Sequence, residues 1–278
     1  MLGKLFQNEF KCTWKTMVTI YAVVIAATVL GCLVLGVDVF SNGKIGQVMA
    51  RIFILSYVFA IAALFIVTFI FLCGRFYKTM YSDQGYLTHT IPVSSLANLN
   101  VKLITSLVWL LLSGILFLLS IGALAFVRDS ETVMEFFRQM TLQGLNHICK
   151  DAFGYGFCAT LGILLLLVVL GYLNLLGMVY AALSLGQLFN QHKIGAAIGF
   201  GIGIYFVQQI ISSILLIRWM NLFMVRITVT YSQETEYFSN SATGAPRIIW
   251  PILLTYAVYA VIEYLITAFI VKKHINLD

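Results

Sequence analysis

The chain has 278 residues, of which 61% are hydrophobic and only 10% charged, and its mean hydropathy is +0.96. Soluble domains carry about 25% charged and about 45–50% apolar residues, so these proportions exclude a soluble globular enzyme, a disordered chain and a nucleic-acid binder. The net charge of +6 does not restore the last class, because in a chain this apolar Lys and Arg mark the cytoplasmic rim of a membrane protein.

The first sixteen residues form no span. On a helical wheel Leu2, Leu5, Phe6, Phe10, Trp14 and Met17 fall on one face and Lys4, Lys11 and Lys15 on the other. This predicts an amphipathic helix over 1–16, lying in the membrane interface with its lysines toward anionic headgroups. A span of the ~30 Å hydrocarbon core needs ~20 mostly apolar residues at ~1.5 Å each. Six runs qualify: 17–37, 52–73, 101–127, 155–183, 194–217 and 248–271. None has a Lys or Arg in its middle. The first is longer than a signal-peptide core and is expected to stay as an anchor. The ~10-residue alternating segments of a membrane barrel are absent. The predicted fold is therefore all-α: a polytopic membrane protein of six transmembrane helices, one transmembrane domain over 1–278, with no room for a second.

With six spans, both termini share a side. If that side is the cytoplasm, eight of the ten lysines lie inside, three of them before the first span, and Lys272 and Lys273 stop the last. This assigns both termini to the cytoplasm. The longest inner segment is then the loop within 74–100. Gly85 permits a tight bend there, Pro92 stops any helix before it, and Ser94 or Ser95 can cap the third span. The half-apolar stretch 86–91 between bend and stop gives this loop an apolar face of its own, as a docking segment has. Two outer segments are sizeable, 128–154 and 218–247. The second opens on Trp219, Leu222 and Phe223, which predicts a re-entrant or interfacial hairpin.

Within the spans, Ser106, Ser113 and Ser120 recur every seven residues as a small polar stripe for close helix contact. Gly195, Gly199 and Gly203 recur every four, a small-residue packing pattern. Tyr205, Gln208, Gln209 and Ser212 share a face of the fifth span, and Tyr256, Tyr259, Glu263 and Thr267 a face of the sixth. Glu263 is the one carboxyl well inside a span. An ionisable group at that depth costs ~2.5–3.5 kcal/mol on insertion scales and is a functional candidate. It reads as a pathway residue, a proton site or a contact for a cationic substrate. It reads equally as a structural pair with a Tyr or a basic group.

Enzyme chemistry finds no constellation. General acid–base work needs at least two positioned titratable groups, and Glu263 is alone at depth. His89, His147, His192 and His274 are scattered, with no metal-ligand spacing. The five cysteines, Cys12, Cys32, Cys73, Cys149 and Cys158, lack paired spacings and read as small apolar fillers. No G-x-x-x-x-G-K-[ST] phosphate loop occurs, so the chain has no such ATP site of its own.

Two segments resemble a known family. The opening Met1-Leu-Gly-Lys-Leu-Phe-Gln-Asn-Glu-Phe-Lys11 and the loop Asp83-Gln-Gly-Tyr-Leu-Thr-His-Thr-Ile-Pro-Val-Ser94 are similar to those of ABC type-2 permeases of Gram-positive bacteria, the membrane subunits of exporters whose ATPase is a separate chain. The six-span plan covers the whole length. The family opening runs Leu-x-Lys-x-Glu-Phe-Lys, here ending in Glu9, Phe10 and Lys11. The family loop reads Asp-Glu-Gly-Tyr-Leu-Thr-x-Thr-Leu-Pro-Val, and this chain has Gln84 for the Glu and Ile91 for the Leu.

The resemblance implies a connecting helix carrying Glu9, Phe10, Lys11 and Trp14. It also implies a coupling segment of Asp83, Gly85, Tyr86, Leu87, Thr88, His89, Thr90 and Pro92 that docks on the ATPase. It implies a second permease chain, alike or different, the two forming the pathway between them, and the polar stripes of the spans offer Gln208, Gln209, Tyr256, Tyr259 and Glu263 as its intramembrane candidates. ATP and Mg are expected in the partner ATPase and no cofactor in this chain. The expected location is the bacterial plasma membrane. Two other classes compete: a proton-driven secondary transporter using Glu263, and a non-transporting membrane sensor or scaffold subunit. The topology is testable first. In intact cells a membrane-impermeant thiol reagent should label Cys149 in the outer segment more readily than Cys12, and preferential labelling of Cys12 would invert the assignment.

Overall fold

The computed structural model describes residues 2–36, 44–82, 85, 94–128, 131, 134–135, 138, 142–189, 192–231 and 244–273. Their elements are helices throughout: α1 (Leu2–Gly36), α2 (Lys44–Tyr81), α3 (Ser95–Arg128), α4 (Leu142–Phe153), α5 (Phe157–Gly186), α6 (Lys193–Tyr231) and α7 (Gly244–Lys273). All but α4 are long and apolar enough to cross a membrane, which makes this a multi-pass membrane protein. The helices outrun the apolar runs that predicted them. At ~1.5 Å per residue the 35 residues of α1 extend roughly 52 Å, well beyond a ~30 Å hydrocarbon core. Hydropathy finds only the part of a helix that needs lipid.

Three expectations change accordingly. Residues 2–16 and the first span are one unbroken helix, α1, because neither Gly nor Pro interrupts residues 4–30. The hairpin expected from residue 218 is instead a continuation of α6, helical to Tyr231. The outer segment 128–154 contains a helix of its own, α4, which ends at Gly154 in the left-handed region (φ 72°). Asn146 of α4 accepts the Phe157 N–H at 3.0 Å, supplying the first turn of α5 with the acceptor that helix starts lack.

By its contacts the chain divides into two compact units, Met1–Gln139 and Met140–Asp278, each with three of the long helices, where the sequence reading treats 1–278 as one domain. In the first unit α1 packs along both α3 and α2. The Ser106, Ser113 and Ser120 stripe is buried, and Ser113 and Ser120 meet hydroxyls of the neighbouring helices. Tyr21 of α1 donates to the Trp109 carbonyl at 2.8 Å and lies 3.0 Å from the Ser113 hydroxyl. Thr28 meets Ser120 at 2.6 Å, and Tyr57 of α2 reaches the same Ser120 hydroxyl. Gly31 is what lets α1 close in: a Cβ there would lie 2.8 Å from Leu124 and Phe53 side-chain atoms.

In the second unit α5 is central and packs along both α6 and α7. The stripe Gly195, Gly199 and Gly203 does not make this contact. All three glycines are exposed, and nothing lies within 4 Å of a Cβ built on Gly199 or Gly203. Close packing is made by other small residues, Gly186 against Ala197 and Ala182 against Gly201. The turn between α5 and α6 brings these pairs face to face and rotates the predicted stripe away. A Cβ on Gly186 would stand 2.7 Å from the Lys193 carbonyl oxygen and 2.8 Å from the Ala197 nitrogen, backbone atoms that cannot step aside. Gly186→Ala should therefore cost about 1–3 kcal/mol of stability by overpacking and lower the thermal midpoint in detergent by several degrees, whereas Gly199→Ala and Gly203→Ala should leave it unchanged or slightly raised.

Candidate functional site

Glu263 sits on α7 at 2% exposure, and each of the other two long helices of its unit sends it one amide. Gln208 of α6 donates to Oε1 at 2.5 Å and Asn174 of α5 donates to Oε2 at 3.4 Å. The carboxyl reaches α5 because residue 177 is glycine: a Cβ there would lie 2.6 Å from Oε2 and 3.1 Å from the Glu263 Cβ. One turn along α7, the Tyr259 hydroxyl donates to the Gln208 carbonyl at 3.3 Å and lies 3.2 Å from the Ser212 hydroxyl. One turn the other way, Thr267 donates to the Glu263 carbonyl at 2.8 Å. The result is a polar pin through three apolar helices. Each carboxyl oxygen is met by a donor, as burial in a low-dielectric interior requires.

This geometry sorts the predicted stripes. Gln208 and Ser212 face α7, as their spacing requires. Gln209, one residue and ~100° further round, is exposed and lies outside the cluster. Tyr205 is also exposed, with its ring edge-on to Phe206. Tyr256 is half-buried on the α7 stripe. The donors to the Glu263 carboxyl are the amides of Asn174 and Gln208, and among the described residues both salt bridges belong to Glu9. Asn174 was not anticipated. The available signal was an Asn within the Leu-rich run 163–176, a polar residue that is costly in hydrocarbon without a partner.

The second cluster lies in the first unit and involves the opening segment. Glu9 of α1 is held by two cations. Arg75 of α2 donates through Nε at 3.2 Å and Nη2 at 2.8 Å to Oε2, and Lys102 of α3 donates to Oε1 at 2.5 Å. Arg75 and Lys102 carry the carboxylate's pairing from the two helices that flank residues 82–94. Phe10 stacks on Trp109 of α3 with ring centroids 4.6 Å apart and planes 8° apart. The Trp109 indole N–H donates to the Thr13 hydroxyl at 2.9 Å. Trp14 and Lys11 are exposed, consistent with an outward-facing aromatic and basic edge on α1. Sequence reasoning placed Glu9 and Phe10 in a motif but did not identify Arg75, Lys102 and Trp109 as their partners.

Of the predicted coupling residues, Asp83, Tyr86, Leu87, Thr88, His89, Thr90 and Pro92 lie outside the described residues. Gly85 is buried, and its N–H donates to the Ser82 carbonyl at 2.6 Å. Ser94 caps α3, its hydroxyl oxygen accepting the Ala97 N–H at 3.3 Å. Comparison with family models, characterised proteins and solved structures returns no match to this chain.

The amide pin makes a direct prediction. Gln208→Leu removes the donor to a buried carboxyl oxygen and should cost about 1–3 kcal/mol. Gln209→Leu, on the exposed side of the same helix, should change stability by no more than about 0.5 kcal/mol. Thermal unfolding of the two variants side by side in one detergent measures the contrast.

Proposed function

We propose that this chain is the membrane-spanning permease subunit of an ATP-driven ABC exporter of the type-2 class, forming a substrate pathway with a second permease chain and powered by a separate ATPase. The observation that carries the reading is the segment Asp83–Ser94 after the second long helix: a bend at Gly85, a stop at Pro92 and apolar residues between them. Six apolar helices are compatible with such a subunit. The Glu9 contacts also support it. The acidic residue of the opening motif binds the two helices that lead into and out of the loop motif.

In this reading the protein resides in the bacterial plasma membrane with both termini in the cytoplasm. ATP and Mg bind in the partner, and energy enters through contact at the loop. Such contact shifts a conformational equilibrium only if it differs between the two states. Tyr86 and Leu87 are the side chains suited to fill a groove on the ATPase, with Thr88, His89 and Thr90 giving polar contacts. Glu263 fits this scheme as a pin of the second unit. Its carboxyl is enclosed by Asn174 and Gln208.

The experiment is co-purification of the chain with its native neighbours, followed by the double change Tyr86→Ala and Leu87→Ala. Burying a Leu-sized side chain is worth ~1.5–3 kcal/mol, so the double variant should bind the ATPase at least tenfold more weakly, or lose substrate-stimulated ATP hydrolysis while still folding. Unchanged binding and hydrolysis would overturn the docking assignment, and a preparation with no ATPase in it would overturn the exporter reading.

A further inference from the structure

The helix α6 is held to the rest of its unit along one seam. Ala197 and Gly201 meet α5, and Gln208 and Ser212 meet α7. About a third of a turn round the same helix, Gly195, Gly199, Ile202, Phe206, Gln209 and Ser213 are all exposed. Their spacing alternates between four and three residues, the repeat that holds one face of a helix against a second helix. Nothing lies within 4 Å of a Cβ built on Gly199, so another backbone has room to come close there.

Lipid suits Ile202 and Phe206 on this face but not Gln209. Gln209 lies inside the apolar stretch Lys193–Trp219, and among the described residues no hydrogen bond reaches its carboxamide. An amide left unpaired in hydrocarbon is costly. Ser213, one turn on, gives its hydroxyl to the Gln209 backbone carbonyl at 2.8 Å and leaves the side chain unanswered. A carboxamide both donates and accepts, so two of them facing each other close two hydrogen bonds at once. The other groups of this kind in the six apolar runs are Asn174, Gln208 and the Glu263 carboxyl, and these three are committed to one another. The complement left for Gln209 in this chain is Gln209 of a second copy. Two copies inserted under the same charge bias share one orientation. A two-fold axis along the membrane normal then sets α6 parallel to its counterpart and places each residue of the face opposite its own equivalent.

We propose that two copies of this chain pair through α6, the Gln209 carboxamides hydrogen-bonded to each other across the two-fold axis and Gly195 and Gly199 letting the helices approach. The adjacent amides of α6 then have separate duties: Gln208 binds inward to Glu263, and Gln209 binds outward to the second copy. The pairing rests on the exposed face of α6; that the second copy is the second permease chain rests on the exporter reading above.

The test is energy transfer between donor-labelled and acceptor-labelled copies of the full chain, with the fluorophores on C-terminal tags, in lipid vesicles that hold no ATPase. Dilution with lipid gives the dissociation constant in the bilayer. Unmodified copies should associate as dimers. Gln209→Leu should raise the dissociation constant about tenfold, on the order of the loss of interhelical hydrogen bonds, while Gln209→Asn, which keeps the carboxamide, should retain most of the association. Gly199→Leu should also weaken it about tenfold by blocking the approach of the helices. Val207→Leu, exposed on the same helix but away from this face, should leave it within about twofold. Monomers at every dilution would overturn the pairing and leave lipid or a different chain to cover α6. Association unchanged by both Gln209→Leu and Gly199→Leu would overturn the face. Loss of folded protein with Gln209→Leu would assign the amide to the chain's own fold and overturn the proposal as well. Absence of an ATPase from the native preparation would leave these outcomes unaffected and count only against the exporter reading.

Discussion

In hydrocarbon a polar side chain has no water to fall back on, so a buried one in a spanning helix is stabilised by a partner within protein, and most of those described have one, Thr68 being an exception among the described residues. The rest of the structure depends on this constraint. Leu, Ile, Val and Phe make the helices insoluble in water, but lipid tails are as apolar as they are, and apolar surface alone does not tell one helix which neighbour to choose. The selection comes from the few groups that lipid cannot satisfy. In the first unit these are the hydroxyls of Tyr21, Thr28, Tyr57, Ser113 and Ser120. In the second they are Asn174, Gln208, Tyr259 and Glu263.

The two units meet the constraint with different chemistry. The first uses neutral hydroxyls along the length of α1 and α3 and concentrates charge at one end, where Glu9 takes two cations that keep some access to solvent. The second puts its one carboxyl deep among three helices and surrounds it with neutral amides. Amide partners satisfy lone pairs without bringing a second charge into a medium where desolvating each ion is costly. Small residues make both arrangements possible. Gly31 lets α1 approach Phe53 and Leu124, and Gly177 makes the space that the Glu263 carboxyl occupies. A polar contact between helices is only as short as the backbones allow, so these glycines belong to the polar chemistry as much as to the packing.

The two charged clusters differ in kind. The Glu263 cluster is enclosed, with one amide on each carboxyl oxygen. The Glu9 cluster joins three helices and is asymmetric in burial, Lys102 lying deeper than Arg75.

The all-α class, the six long apolar helices and their approximate places were determined by the sequence, because hydrocarbon imposes a length and a composition that leave little else to read. The Ser106, Ser113 and Ser120 stripe was equally legible, since a seven-residue spacing holds one face of a helix whatever lies opposite. Only the tertiary structure decided which face meets which neighbour. The glycines at 195, 199 and 203 have the spacing of a packing stripe yet face outward, and the small residues that do pack, Ala182 with Gly186 and Ala197 with Gly201, have the same four-residue spacing. Gln208 and Gln209 are chemically identical neighbours, and a ~100° rotation sends one to Glu263 and the other to the exposed side. Arg75, Lys102 and Asn174 gain their roles from residues 66 or more positions away in the chain. Periodicity along one helix fixes a direction only relative to that helix's own axis. The rotation and approach of its neighbours are set by packing between helices.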